Sequence, residues 1–189
     1  MHEIIQKRFQ ESISVTGRTV ERLAGRIAQA AEILVASLRA GGGVFLFGNG
    51  GSAADAQHIA GELVGRFLRE RRAIRAVALT TDTSVLTSLA NDYDLDRVFS
   101  RQLEALARPG DVAVGLSTSG NSPNVLAALT TARQIGMKAI ALTGEGGGRC
   151  GELAHVLLDV PSRQTPRIQE AHAVIYHVLC EVVESAVAE

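Results

Sequence analysis

The chain of 189 residues is 46% hydrophobic and balances 19 Lys and Arg against 20 Asp and Glu, for a formal net charge of −1. That length fits one domain with a sizeable core and leaves little for a second, and near-neutrality with no local basic patch excludes the usual nucleic-acid or acidic-membrane binder. No apolar run reaches the ~20 residues of a membrane helix, "MHEIIQKRFQES" opens polar and charged rather than as a leader, and Cys150 and Cys180 lack CxxC spacing, so a cytoplasmic protein with reduced cysteines is expected.

From Ile4 to Leu38 apolar residues (Phe9, Ile13, Val20, Leu23, Ile27, Leu34, Leu38) recur at helical intervals, which predicts two helices meeting near Gly17. This stripe holds more apolar surface than one layer needs, so it fits either packing on a sheet or a subunit contact. "AGGG" (Ala40 to Gly43) ends the segment. Five short apolar runs follow: 44–48, 74–79, 111–116, 138–142 and 155–160. Apolar on consecutive positions and alternating with helical stretches, they predict strands buried on both faces. The expected fold is α/β, a three-layer doubly wound sandwich of about five parallel strands. It forms one domain over 1–189, with residues 1–40 helical, 41–189 the core, and a closing helix from Ile168 to Val187 after Pro166.

After the first run, Gly48-Asn49-Gly50-Gly51-Ser52-Ala53 matches the G-x-G-x-x-[G/A] fingerprint of a dinucleotide loop. The acid that should follow about twenty positions on is missing, since the first candidate, Asp82, comes about thirty positions later. No Gly-Lys-Ser/Thr occurs, which removes the P-loop. The helix that follows points elsewhere: Asp55, His58 and Glu62, at i, i+3 and i+7, share one face within roughly 60°. Such a stripe, opening from a glycine loop, belongs in a site rather than on a solvated surface.

"LSTSGNSPNV" (116–125) brings Ser117, Thr118, Ser119 and Ser122 to the start of a helix, with Ser122 as N-cap and Pro123 as first residue. Hydroxyls and backbone N–H groups at a positive helix end suit a phosphate monoester. If the strand order is 2-1-3-4-5, this loop and the glycine loop flank the switch point, where such sheets bind ligands. In the closing helix, Gln169 and His177 lie about 12 Å apart along the axis and about 80° around it, which permits a shared metal ion without compelling it. His172 reads as structural or exposed; His177 fits a ligand or a satisfied core histidine.

Together "GNGGSAADAQHIAGELVGRF", "LANDYD", "STSGNSPNV" and "RIQEAH" with the later histidine resemble the bacterial phosphoheptose isomerases of the sugar isomerase (SIS) superfamily. The resemblance covers nearly the whole chain. It implies conversion of sedoheptulose 7-phosphate to D-glycero-D-manno-heptose 7-phosphate for heptose and lipopolysaccharide core synthesis, in a homotetramer with active sites at subunit interfaces and one Zn²⁺ per subunit. It implies His58, Glu62, Gln169 and His177 as metal residues, with Glu62 and His177 catalytic. It also implies Asn49, Gly50, Gly51, Ser52, Asp55, Glu62, Arg66, Asn91, Asp92 and Gln169 against the substrate, and Ser117, Thr118, Ser119 and Ser122 around its phosphate. A non-catalytic branch of the family binds the replication initiator DnaA and lacks the acid at 62 and the histidine at 177; both are present here.

Moving a proton between adjacent carbons through an enediol needs a base, a proton donor and oxyanion stabilisation. Glu62 is the expected base on carbon and His177 its counterpart, with zinc as Lewis acid. A glutamate tied to zinc is a weaker base, so Glu62 as ligand, base or both stays open, and glutamine in the set implies modest metal affinity. Two alternatives are a binding module, either for DnaA or as a sugar-phosphate sensor, and an SIS isomerase for a shorter or longer sugar.

Overall fold

The computed structural model describes residues 1–187, so the last two residues of the expected domain, 188 and 189, lie outside the described residues. Five parallel strands form the sheet: β1 (Val44–Gly48), β2 (Ala76–Ala78), β3 (Val112–Ser117), β4 (Lys138–Thr143) and β5 (Val156–Asp159). Their order is β2-β1-β3-β4-β5, as expected. The chain reverses its direction of growth between β1 and β3, where Val44 pairs with Val112 and Gly48 with Leu116.

Side chains alternate across the pleat. Leu46, Val114, Leu142 and Leu158 face a layer built from α1 (His2–Arg39), α2 (Gly51–Val64) and α7 (Thr165–Val187). Phe45, Phe47, Ala113, Ala139 and Ala141 face the layer that includes α3 (Thr83–Asp92), α4 (Ser100–Leu106), α5 (Pro123–Ile135) and α6 (Cys150–Leu153). Gly115 points into the second layer, where a Cβ would sit 3.0 Å from the Phe47 ring and 3.2 Å from Val125, so the missing side chain lets α5 close on the sheet. Cys150 and Cys180 are both buried free thiols.

Several boundaries differ from expectation, among them α7, which begins at Thr165 rather than Ile168 and so takes Pro166 into its first turn. Residues 2–39 form one helix rather than two, because Gly17 costs a helix only about 1 kcal/mol and its position is open to solvent. The flanking turns are held by Val15 and Thr19, both buried, and the Thr19 hydroxyl donates to the Val15 carbonyl at 2.8 Å. The second strand is shorter than 74–79. It lies at the sheet edge, where a short ladder limits unwanted pairing.

The apolar stripe of α1 divides. Leu23, Leu34 and Leu38 are buried in the first layer, whereas Phe9, Ile13 and Val20 are exposed. On α7, Val174, Val178 and Val182 are likewise exposed one turn apart. Among the described residues no helix is long and apolar enough to cross a membrane.

Candidate active site

The switch point brings the two sequence-marked loops together. Asn49, just after β1, and Asn124, in the first turn of α5, form a reciprocal amide pair in which each Nδ2 donates to the other's Oδ1 at 2.9 Å. Asn124 is almost fully buried and was not singled out by sequence, because an asparagine beside a proline reads as turn chemistry. Gly50 has φ 55°, in the left-handed region that favours glycine. Gly51 has a different constraint: the Gln169 amide of α7 occupies the space a Cβ would need. Gln169 therefore sits at the entrance of α2, and Ser52 beside it is buried.

The serine loop is closed on itself. The Ser117 hydroxyl lies 2.9 Å from that of Ser122 and 3.4 Å from that of Ser119. Ser122 is the N-cap residue and Pro123 begins α5, but the Ser122 side chain turns to Ser117 instead of capping the helix. The Ser119 hydroxyl accepts the Asn121 backbone N–H at 3.1 Å, and the Thr118 carbonyl accepts the Gly144 N–H at 3.0 Å. Gly120 has φ 66°, and a Cβ there would run into the Gly147 carbonyl. Its own carbonyl accepts the Cys150 N–H at 2.9 Å. Backbone from three segments thus fixes the loop at the positive end of α5.

The polar face of α2 meets α7. His58 and Glu62, one turn apart, place Nε2 and Oε1 at 3.1 Å, and His177 brings its Nε2 to 3.4 Å from that of His58. One donor atom from each of the three residues lies within 4.8 Å of the others. A tetrahedral ion with bonds of ~2.0–2.1 Å separates its ligand atoms by about 3.3 Å. The His58–Glu62 and His58–His177 spacings match that edge and the third lies within 4.8 Å, so this group of residues could hold a metal ion. His177 is only half-buried, at this cluster, and is not a satisfied core histidine.

The surroundings orient these groups. Phe67 stacks on the His177 ring, with centroids 5.7 Å apart and planes 16° from parallel. The Tyr176 hydroxyl lies 3.3 Å from His58 Nδ1, a contact that holds the ring and leaves Nε2 facing the cluster. Asp55, half-buried on the turn before His58, has an Oδ2 that is buried without a partner. Burial raises its pKa, opposed by the nearby Tyr176 hydroxyl and by His58. Burial also pushes the Tyr176 phenol up to about 12, reinforced by Asp55.

Other expected residues make bonds of their own outside the cluster. Arg66 is exposed after α2, 4.0 Å from the Glu70 carboxylate. Asn91 and Asp92 end α3, both exposed and bonded to each other at 2.8 Å. His172 is fully buried, with Nε2 at 3.1 Å from the Thr143 carbonyl. Burial pushes its pKa down to about 4, so it is a neutral structural residue whose Nε2–H donates. Asp82, weighed as a dinucleotide acid, is the N-cap of α3 and accepts the Val85 N–H. Sequence reasoning missed Tyr176, Phe67, Arg71 and Glu184, whose side chains read as ordinary helix and loop positions until α2 and α7 are paired.

A family model described as SIS domain matches residues 8–144. A phosphoheptose isomerase of Aquifex aeolicus is 54% identical over 189 residues, spanning 100% of this chain and 99% of that protein. This chain belongs to the phosphoheptose isomerase family. Solved phosphoheptose isomerases share its architecture: that of Neisseria gonorrhoeae superposes with a TM-score of 0.93 at 45% identity, covering 97% of this chain and 98% of that one. The structure of one from Francisella tularensis gives 0.93 at 37% identity, with 97% of each chain covered. The SIS match ends before α7, so Gln169 and His177 lie in a part of this phosphoheptose isomerase family member that only the full-length relatives span.

Proposed function

We propose that the protein converts sedoheptulose 7-phosphate to D-glycero-D-manno-heptose 7-phosphate, an aldose–ketose isomerisation that feeds heptose and lipopolysaccharide core synthesis in the cytoplasm. The observation that carries this is the His58–Glu62–His177 cluster opening from the glycine loop, in a chain 54% identical over its length to a phosphoheptose isomerase.

The phosphate rests on Ser117, Thr118, Ser119 and Ser122. Asn49, Gly50, Gly51, Ser52 and Gln169 line the sugar, and Asp55 lies beside the reacting end. Glu62 takes the proton from C1 of the ketose while His177 gives one to O2, which gives the enediol. O1 then returns a proton to His177 and Glu62 gives its proton to C2, so the sum is a transfer of hydrogen between neighbouring carbons with no external oxidant or reductant. Glu62 Oε1 is turned to His58, which leaves Oε2 for carbon. His58, Glu62 and His177, with Gln169 as a fourth and weaker donor, would hold one Zn²⁺ per subunit, and a bound ion supplies Lewis-acid stabilisation of the developing oxyanion.

Arg66, Asn91 and Asp92 are exposed within one chain, and α1 and α7 carry exposed apolar stripes. Both facts support a homotetramer in which neighbouring subunits complete each site. Sedimentation is expected to give four chains per particle, and a fully active monomer would overturn this arrangement. The function itself is tested with a sugar-phosphate panel in deuterated water, with and without chelator. Deuterium entering the carbon skeleton of sedoheptulose 7-phosphate is the expected result. Tight binding with no exchange in the presence of zinc identifies a sensor or DnaA-binding protein instead.

A further inference from the structure

One buried carboxylate has no part in the chemistry above. Glu184, seven residues after His177, lies on the same face of α7 about 10 Å further along the axis. Its Oε1 accepts the Phe67 N–H at 2.8 Å, and its Oε2 accepts the Leu68 and Arg69 N–H groups at 2.7 and 2.9 Å. Arg71 Nε stands 3.3 Å from Oε1, and both side chains are almost fully buried, at 1% and 2% exposure. Burial alone would raise the carboxyl's pKa, but the three amides and Arg71 outweigh it and hold it below the usual carboxylate range.

Each partner leads back to the cluster. The Arg71 guanidinium donates to the Glu62 carbonyl at 2.7 Å and to the Gly65 carbonyl at 2.8 Å, which caps the last turn of the helix that carries Glu62. Phe67, whose N–H Glu184 holds, supports the flat of the His177 ring. A single carboxylate on α7 therefore ties down both the end of α2 and the ring that backs the third donor. An isolated surface helix would need no such group, and leaving a carboxylate buried is favourable only while every bond is made.

We propose that Glu184 is a positioning residue for the His58–Glu62–His177 centre, setting the placement of Glu62 and His177 through Arg71 and Phe67. The inference rests on the reading of that centre as the metal and catalytic site. Glu184→Gln keeps the volume but turns an NH₂ group towards backbone donors and leaves Arg71 without its counter-charge. The metal-free protein is titrated with zinc against a chromophoric chelator, the cobalt-loaded protein is examined by absorption, and kcat and KM are measured separately.

The variant is expected to lose about tenfold or more in metal affinity, the range typical of groups that orient metal ligands. Its cobalt band should shift, and kcat should fall about tenfold with KM within about threefold of wild type. Leu129→Ala, a cavity in the opposite layer that lowers stability without touching α2 or α7, should move none of these readouts. A folded Glu184→Gln protein with wild-type metal affinity, cobalt spectrum and kcat overturns the proposal. Should that variant not fold, Phe67→Leu decides by the same three measurements. His177→Gln separates the levels: retained metal binding and turnover there would sink the site itself, whereas its loss beside an unaffected Glu184→Gln sinks only the positioning role.

Discussion

The two halves of the cleft are built in opposite ways. The serine-loop half, residues 117–124, has hydroxyls bonded to one another and its backbone held by the backbone of residues 144–150. The half carrying His58, Glu62 and His177 joins helices more than a hundred residues apart, and side chains such as Tyr176, Phe67, Arg71 and Glu184 set its geometry. A loop that only holds a phosphate can be locally specified and rigid. A centre that must take and return protons needs groups of unlike chemistry, and only tertiary contact assembles them.

The largest effects should come from the tertiary half. Glu62→Gln and His177→Gln are each expected to lower kcat about 10³-fold, in the middle of the range for lost general acid–base catalysis, with the thermal midpoint little changed. Near-wild-type turnover in either variant would erase the distinction between the halves. Chelation should cost about 10²-fold in turnover, restored by zinc with one ion per chain by elemental analysis; undiminished activity in chelator would remove the metal from the account.

A third test concerns the anchoring of α7. His172 is held near a pKa of about 4, against about 6.5 in the unfolded chain, so between those values the unfolded state binds more protons. Its contribution is complete above pH 6.5 and drains as pH falls towards 4. Denaturant unfolding should therefore show wild type losing about 2 kcal/mol more than His172→Gln between pH 7 and pH 5. Equal losses would mean that His172 takes up its proton in the fold as readily as in the unfolded chain. The smallest effect belongs to the phosphate half: Ser119→Ala should raise KM about tenfold and leave kcat within about twofold, the signature of uniform binding, and a selective fall in kcat would contradict it.

The same division explains what could be read before folding. The five strands, the serine loop and the Asp55–His58–Glu62 face follow from local period and spacing, and the structure reproduces them. The Asn49–Asn124 pair and the Glu184–Arg71 clamp left no such signal, because each residue is unremarkable in its own element and acquires meaning only across the fold. Gly17 misled for the converse reason. A helix breaker by propensity, it is outweighed by the packed turns around it.

At Gly120 the main chain meets the Gly147 carbonyl with no side chain between them, so backbone is clamped to backbone where the serine loop turns. For anyone seeking to re-engineer this cleft for a longer or differently branched sugar, that clamp sets the terms. The serine-loop end, proposed to hold the phosphate, behaves as a fixed datum with no room for a larger residue at 120. New substrate reach has to be found at the other end, by reshaping the side chains around α2 and the entrance of α7.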